Sequence, residues 1–204
     1  MELTDLQLDA LKETTSIGAG NAATALSKLA KRTITMTVPS ASLLTLRDLR
    51  ALIPRDTRGT VLSRLSILGD APGTLVISFD HGSAVRLCRV LLEPQGVSPA
   101  GSSMGEMEVS ALQEAVNIIG GAYLTALSGF LGLSMRTSVP FLAIDDGGSV
   151  IDGIFEELGS LSDQALVIRS TLHERNHSLQ VTLFVKPQPE ALVRILKALR
   201  MDQA

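Results

Sequence analysis

Glu114 and Asn117, with Ser110 one turn before them, are the side chains in this 204-residue chain whose types and spacing could do chemistry. An amide carries a donor and an acceptor at fixed separation, so it can orient a water molecule rather than merely hold one. At 3.6 residues per turn, positions i, i+4 and i+7 lie within about 60° of one another, so Ser110, Glu114 and Asn117 form one polar stripe on a helix. The same spacing occurs earlier as Asp9, Glu13 and Ser16. A lone Glu-x-x-Asn is most often a solvated helix face, and the repetition sets this one apart. No Ser-His-Asp or Cys-His arrangement offers a competing nucleophile.

The elements that position these stripes are written twice. Asp9, Glu13, Ser16 and Pro39 recur as Ser110, Glu114, Asn117 and Pro140 at a constant offset of 101, and Thr24-Ala25-Leu26-Ser27 matches Thr125-Ala126-Leu127-Ser128 at that offset. Later, Val85 to Leu91 resembles Val193 to Leu199 at offset 108. An internal repeat decides architecture before local propensity does. Each half reads as a long helix, an extended segment around the proline, further strands and a closing amphipathic helix. The first-half segments are Thr4 to Leu29, Thr33 to Val38, Gly59 to Leu68, Gly73 to Phe79 and Ser83 to Leu92. The second-half segments are Glu106 to Leu131, Ser134 to Pro140, an extended Ala143 to Phe155, Gln164 to Leu172, Ser178 to Val185 and Glu190 to Arg200. Thr4 with Gln7 makes a capping box for the first helix.

The predicted fold is therefore α+β, a layered α/β sandwich with pseudo-twofold symmetry. It is one domain over 1–204, built of two repeats, about 4–93 and 104–200, that share a sheet. The turn-rich stretch Pro94 to Ser103 links the repeats. In the long helices the apolar positions Val109, Leu112, Val116, Tyr123 and Leu127, and likewise Leu8, Leu11, Ala22, Leu26 and Leu29, face away from the polar stripes. Gly18, Gly20, Gly120 and Gly121 each cost about 1 kcal/mol relative to Ala in a helix interior, which points to close approach of another helix or a partner.

Bulk properties narrow the function further. A net charge of −3, no Lys/Arg run longer than Lys31-Arg32, and 3% aromatic residues without Trp argue against nucleic acid as partner. The start, Met1-Glu2-Leu3-Thr4-Asp5, lacks a basic region followed by an apolar one, so the cytoplasm is the expected location. Ala115 to Met135 is uncharged and long enough to span a membrane, yet Asn117, Thr125, Ser128 and its glycines read better as a buried helix than as an inserted one. The single Cys88 sits in an apolar helical pattern and reads as a buried thiol.

The pattern Asp/Ser-x-x-x-Glu-x-x-Asn, followed by a proline 23 residues after the Asn, resembles the signature of the CheC, CheX and FliY phosphatases. Leu8 to Glu13 with Ile17-Gly18-Ala19-Gly20-Asn21-Ala22-Ala23-Thr24-Ala25-Leu26-Ser27 is similar to the first helix of CheC. Two motif copies in a chain of this length, without the FliY tail, resemble CheC more than the shorter CheX, and the resemblance runs from about Leu3 to Leu199. It implies a phosphatase acting on a phosphorylated CheY-type response regulator in chemotaxis. The regulator carries the aspartyl phosphate and its Mg²⁺, and the phosphatase has no cofactor of its own. Asn117 would hold the attacking water in line, Glu114 would pair with a basic side chain of the regulator, and Asp9 and Ser110 would serve docking. In the first copy Ser16 stands where the family has Asn, and a shorter hydroxyl does not reach an in-line water, so the Glu13/Ser16 site is expected to be degenerate. The resemblance also implies CheD as a partner.

Other readings are weaker. Gly18-Ala19-Gly20-Asn21-Ala22-Ala23 matches a dinucleotide pattern but lies inside a helical period. Asp145, Asp146 and Asp152 fit no known metal-loop spacing, and His81, His173 and His177 lack partners at ligand spacing. The main alternative is a non-catalytic adaptor binding CheD or a flagellar switch component.

Overall fold

The computed structural model describes residues 4–52, 59–96, 104–145, 149–160 and 163–200. The chain runs α1 (Asp5–Ala30), β1 (Ile34–Thr45), α2 (Leu46–Leu52), β2 (Thr60–Gly69), β3 (Gly73–Asp80) and α3 (His81–Leu92). A 3-10 turn (Glu93–Gln95) follows, and then α4 (Glu106–Leu131), β4 (Met135–Thr137), β5 (Phe141–Asp145), α5 (Ser149–Leu158), β6 (Gln164–Glu174), β7 (His177–Pro187) and α6 (Pro189–Arg200). Most of Pro94 to Ser103, and Asp146 of the aspartate group, lie outside the described residues.

Among the described residues, seven strands form one antiparallel sheet in the order β1-β6-β7-β3-β2-β4, with β5 also pairing β2. Matched by sequence repeat, β1 corresponds to β4 and β5, β2 to β6, and β3 to β7. The order is thus a palindrome: the first strand of each half pairs with the second strand of the other, and β3 meets β7 at the centre. The α+β sandwich with pseudo-twofold symmetry is borne out. One face of the sheet carries α1, α3, α4 and α6, and the other carries α2 and α5 with Leu49, Phe155 and Phe184 between them.

The sequence expectation needs correction in two places. Ala143 to Phe155 is not one extended run but strand β5 followed by helix α5, and α2 lies in the stretch after β1 to which the sequence pattern assigns no element. Both helices are short, and β-branched Val150 and Ile151 gave α5 the look of a strand. β1 also continues through Pro39 to Thr45, with its register against β6 shifting between Thr37 and Ser40. Proline lacks an N–H for the ladder and is tolerated at such an irregularity and on an edge strand.

The two long helices match expectation closely. The Thr4–Gln7 capping box starts α1, and Lys31 closes it at φ 51°. At the start of α4, the Glu108 carboxylate accepts the Gly105 N–H at 3.2 Å, and Gly132 ends the helix at φ 63°, where glycine carries no Cβ penalty. By length and composition α4 could cross a membrane; here one side of it packs on α1 and the sheet. The helices run antiparallel, since Leu11 of α1 meets Leu127 near the far end of α4, and Leu29 of α1 lies beside Met107 and Ala111.

Candidate active site

α4 buries Leu112, Val116, Tyr123 and Leu127 and leaves Ser110, Glu114 and Asn117 exposed. The 3.6-residue period produces this directly, because the polar positions fall opposite the apolar stripe. α1 does the same with Leu11, Ala22 and Leu26 inside and Asp9, Glu13 and Ser16 outside. Val109, Leu8 and Leu29 are half-buried at the margin of the apolar stripes. Tyr123 fixes α4 onto the sheet: its hydroxyl lies 2.6 Å from Ser170 Oγ of β6 in the core, and burial pushes the phenol up to about 12. Cys88 of α3 is buried against the same helix, donating to the Glu108 carbonyl oxygen at 3.6 Å, and desolvation raises its thiol to about 12. At neutral pH it is a protonated, inert core side chain.

Ser110, Gln113, Glu114 and Asn117 form one wall of a groove of about 390 Å³, and Thr137 to Pro140 form the other. Sequence reasoning found the helix wall and missed the role of the second wall. Its signal was the fixed 23-residue spacing from Asn117 to Pro140. On the opposite flank, Ser110 and Glu114 border a second hollow of about 290 Å³ floored by Leu29, Leu91 and Leu92. The stripe is therefore a ridge between two depressions. Among the described residues, the Glu114 and Asn117 side chains have no hydrogen-bond or ion-pair partner within the chain. Both remain available to a partner. An apolar cavity of about 70 Å³ among aliphatic side chains such as Leu124, Leu166 and Ile195 shares no lining residue with this groove.

The first copy differs in its chemistry. Ser16 Oγ donates to the Lys12 carbonyl oxygen at 2.8 Å, folding the hydroxyl back onto its own helix. The segments around the two prolines also differ: Val38 is buried and Pro39 exposed, whereas Val139 is exposed and Pro140 buried.

The helix glycines divide by environment. A β-carbon on Gly18 would stand 2.9 Å from Tyr123 Cα, and one on Gly120 would meet Leu75 and Leu65 at 3.2 and 3.3 Å. Gly20 and Gly121 have nothing within 4 Å, so close packing inside the chain accounts for only the first two. Gly121 lies one turn past Asn117 on the same stripe.

Residues 6–43 and 107–144 match the CheC-like family, and each stretch contains one stripe and its proline. Over 195 residues the chain is 30% identical to the CheY-P phosphatase CheC of Bacillus subtilis (strain 168), covering 95% of this chain and 93% of that protein. The X-ray crystal structure of Thermotoga maritima FliY shares the fold at a TM-score of 0.76 and 20% identity, each chain covered in full. The middle domain of FliM from H. pylori does so at 0.70 and 13%, covering 97% of this chain and 98% of that one. At such identities the two structures speak for the fold alone. The relation to CheC spans almost the whole length of both proteins, and the family match falls on both halves of the repeat; the chain belongs to the CheC-like family of chemotaxis proteins.

Proposed function

We propose that this protein hydrolyses the aspartyl phosphate of a CheY-type response regulator, with Asn117 orienting the attacking water and Glu114 docking the partner. The observation that carries the reading is the free, exposed Glu114/Asn117 pair on one helical ridge, opening onto the groove closed by Pro140. Phosphoryl transfer needs positioning and charge stabilisation more than an activated nucleophile. The regulator supplies the phosphorylated aspartate and the Mg²⁺ beside it. The Asn117 amide accepts a hydrogen bond from the water and donates one toward the phosphoryl group, holding the water oxygen in line with the bond to be broken. The water oxygen bonds to phosphorus, the bond to the aspartate oxygen breaks, and the regulator recovers its carboxylate while both protons of the water leave with the phosphate or pass to solvent. Glu114 pairs with a basic side chain at the rim of the regulator's pocket, Ser110 belongs to the docking surface beside it, and Asp9 belongs to the corresponding surface of the first stripe at the other end of the helix pair. The Glu13/Ser16 site is degenerate in this reading. Its setting is the cytoplasm, and CheD is a further partner, to which no contact residues are assigned.

The adaptor reading retains one point in its favour, the recurrence of this fold in the FliM middle domain, since a fold hosts more than one function. The decisive assay follows phosphate loss from a labelled phospho-regulator. The expected result is loss faster than the spontaneous rate, reduced to the spontaneous rate by Asn117→Ala with the melting temperature unchanged. No acceleration by the wild-type protein, or an undiminished rate in the variant, overturns the proposal.

A further inference from the structure

Val139 is 86% exposed, the highest exposure of any large apolar side chain among the described residues, and it lies in the wall of the groove that faces Glu114 and Asn117. Its repeat counterpart, Val38, is 7% exposed and part of the core. The same residue type before the same proline is therefore turned in once and out once. The outward placement is held firmly. Ser138 N–H donates to the Ser66 carbonyl oxygen at 2.8 Å, Ser138 Oγ accepts from Ser66 N–H at 2.9 Å, and that hydroxyl donates to the Val139 carbonyl oxygen at 3.1 Å. With Ser138 clamped to β2 and Pro140 buried, Val139 is pre-set to project into the groove.

An apolar side chain held in water contributes nothing to the fold, and covering it with a partner is favourable. Pre-organisation adds to this, because no loop has to be ordered on binding. Building on the phosphatase reading, we infer that Val139 is an apolar anchor for the response regulator, packing against the rim of its phosphorylation pocket while Glu114 and Asn117 enter that pocket. The continuity of one groove from Asn117 to Val139 selects this occupant, since a regulator that reaches the amide must also cover the valine. The asymmetry with Val38 assigns the anchor to the second half alone. Val139 is a positioning residue: it sets how tightly the regulator is held and takes no part in moving the water.

The test titrates Val139→Asp, Val139→Ala and Val139→Ile with two forms of the regulator, the phosphorylated protein and the protein loaded with beryllofluoride as a stable phosphoryl mimic. For Val139→Asp, KM and the mimic's Kd are expected to rise about tenfold or more, with kcat close to wild type. Val139→Ala should fall between, Val139→Ile should match wild type, and all three should melt with the wild-type protein. Unchanged Kd and KM in Val139→Asp overturn the inference, as does a loss confined to kcat. A wild-type self-association, seen by sedimentation and abolished in Val139→Asp, would assign the valine to a second copy and likewise overturn it. Wild-type protein that binds the mimic but fails to speed phosphate loss would sink the phosphatase reading alone, and the Kd series would still decide the role of Val139.

Discussion

Ser16 and Asn117 hold the same position of a repeated helix, and their side chains do opposite things. The serine hydroxyl bonds to the backbone one turn earlier, while the amide stands free above the groove. Returning an amide to position 16 restores the donor–acceptor pair but not the wall, because Val38 is buried where Val139 projects. Ser16→Asn introduced together with Asn117→Ala is therefore expected to lift dephosphorylation above the spontaneous rate and leave it well below wild type. Single-turnover decay of the phospho-regulator measures this, and no recovery at all would mean that Glu13 no longer docks. The stripes themselves were legible in the sequence, since residue type and a 3.6-residue period suffice to place them outward. The contrast between Val38 and Val139 was not. A repeat predicts equal surroundings for equal residues, yet Val38 lies within the continuous strand β1 and Val139 in the break between β4 and β5.

At the scale of elements, the two long helices were read to within a residue at either end because seven turns of amphipathic period leave little freedom. α2 and α5, seven and ten residues long, were missed because about two or three turns do not establish a period against β-branched neighbours. The helix glycines allow a sharper test of packing. Gly18→Ala gains up to about 1 kcal/mol of helix propensity but drives a β-carbon into the Tyr123 backbone, and overpacking of this kind costs about 1–3 kcal/mol. It should lower the melting temperature. Gly121→Ala meets open space and should raise stability by about 0.5–1 kcal/mol. Urea midpoints of the two variants, displaced to opposite sides of wild type, would establish the helix contact; displacement in the same direction would refute it.

The whole molecule is tied across its repeat by charge as well as by the sheet. Glu174, at the end of β6 and 1% exposed, has Arg32, Arg86 and Arg175 within 3.4–3.5 Å, and Arg32 also reaches Glu93 at 2.7 Å. Arg32, bonded to the Glu93 carboxylate, holds that carboxyl below the usual range. A depressed carboxyl stabilises the fold above its unfolded pKa and loses that contribution as pH falls through the folded value. Glu93→Gln should thus melt below wild type at pH 7, and the gap should close as the pH drops beneath about 4. A gap independent of pH would rule out the ion pair as its source. How the two halves join was the least legible feature, since no local pattern states that β1 pairs with β6 or that β4 and β5 pair with β2. That palindrome is the arrangement two identical chains would make by exchanging their first strands. In such a pair every substitution would be imposed on both faces at once. Covalent fusion removes that constraint, leaving each face free to drift alone, so one ridge can surrender its amide while the other retains it.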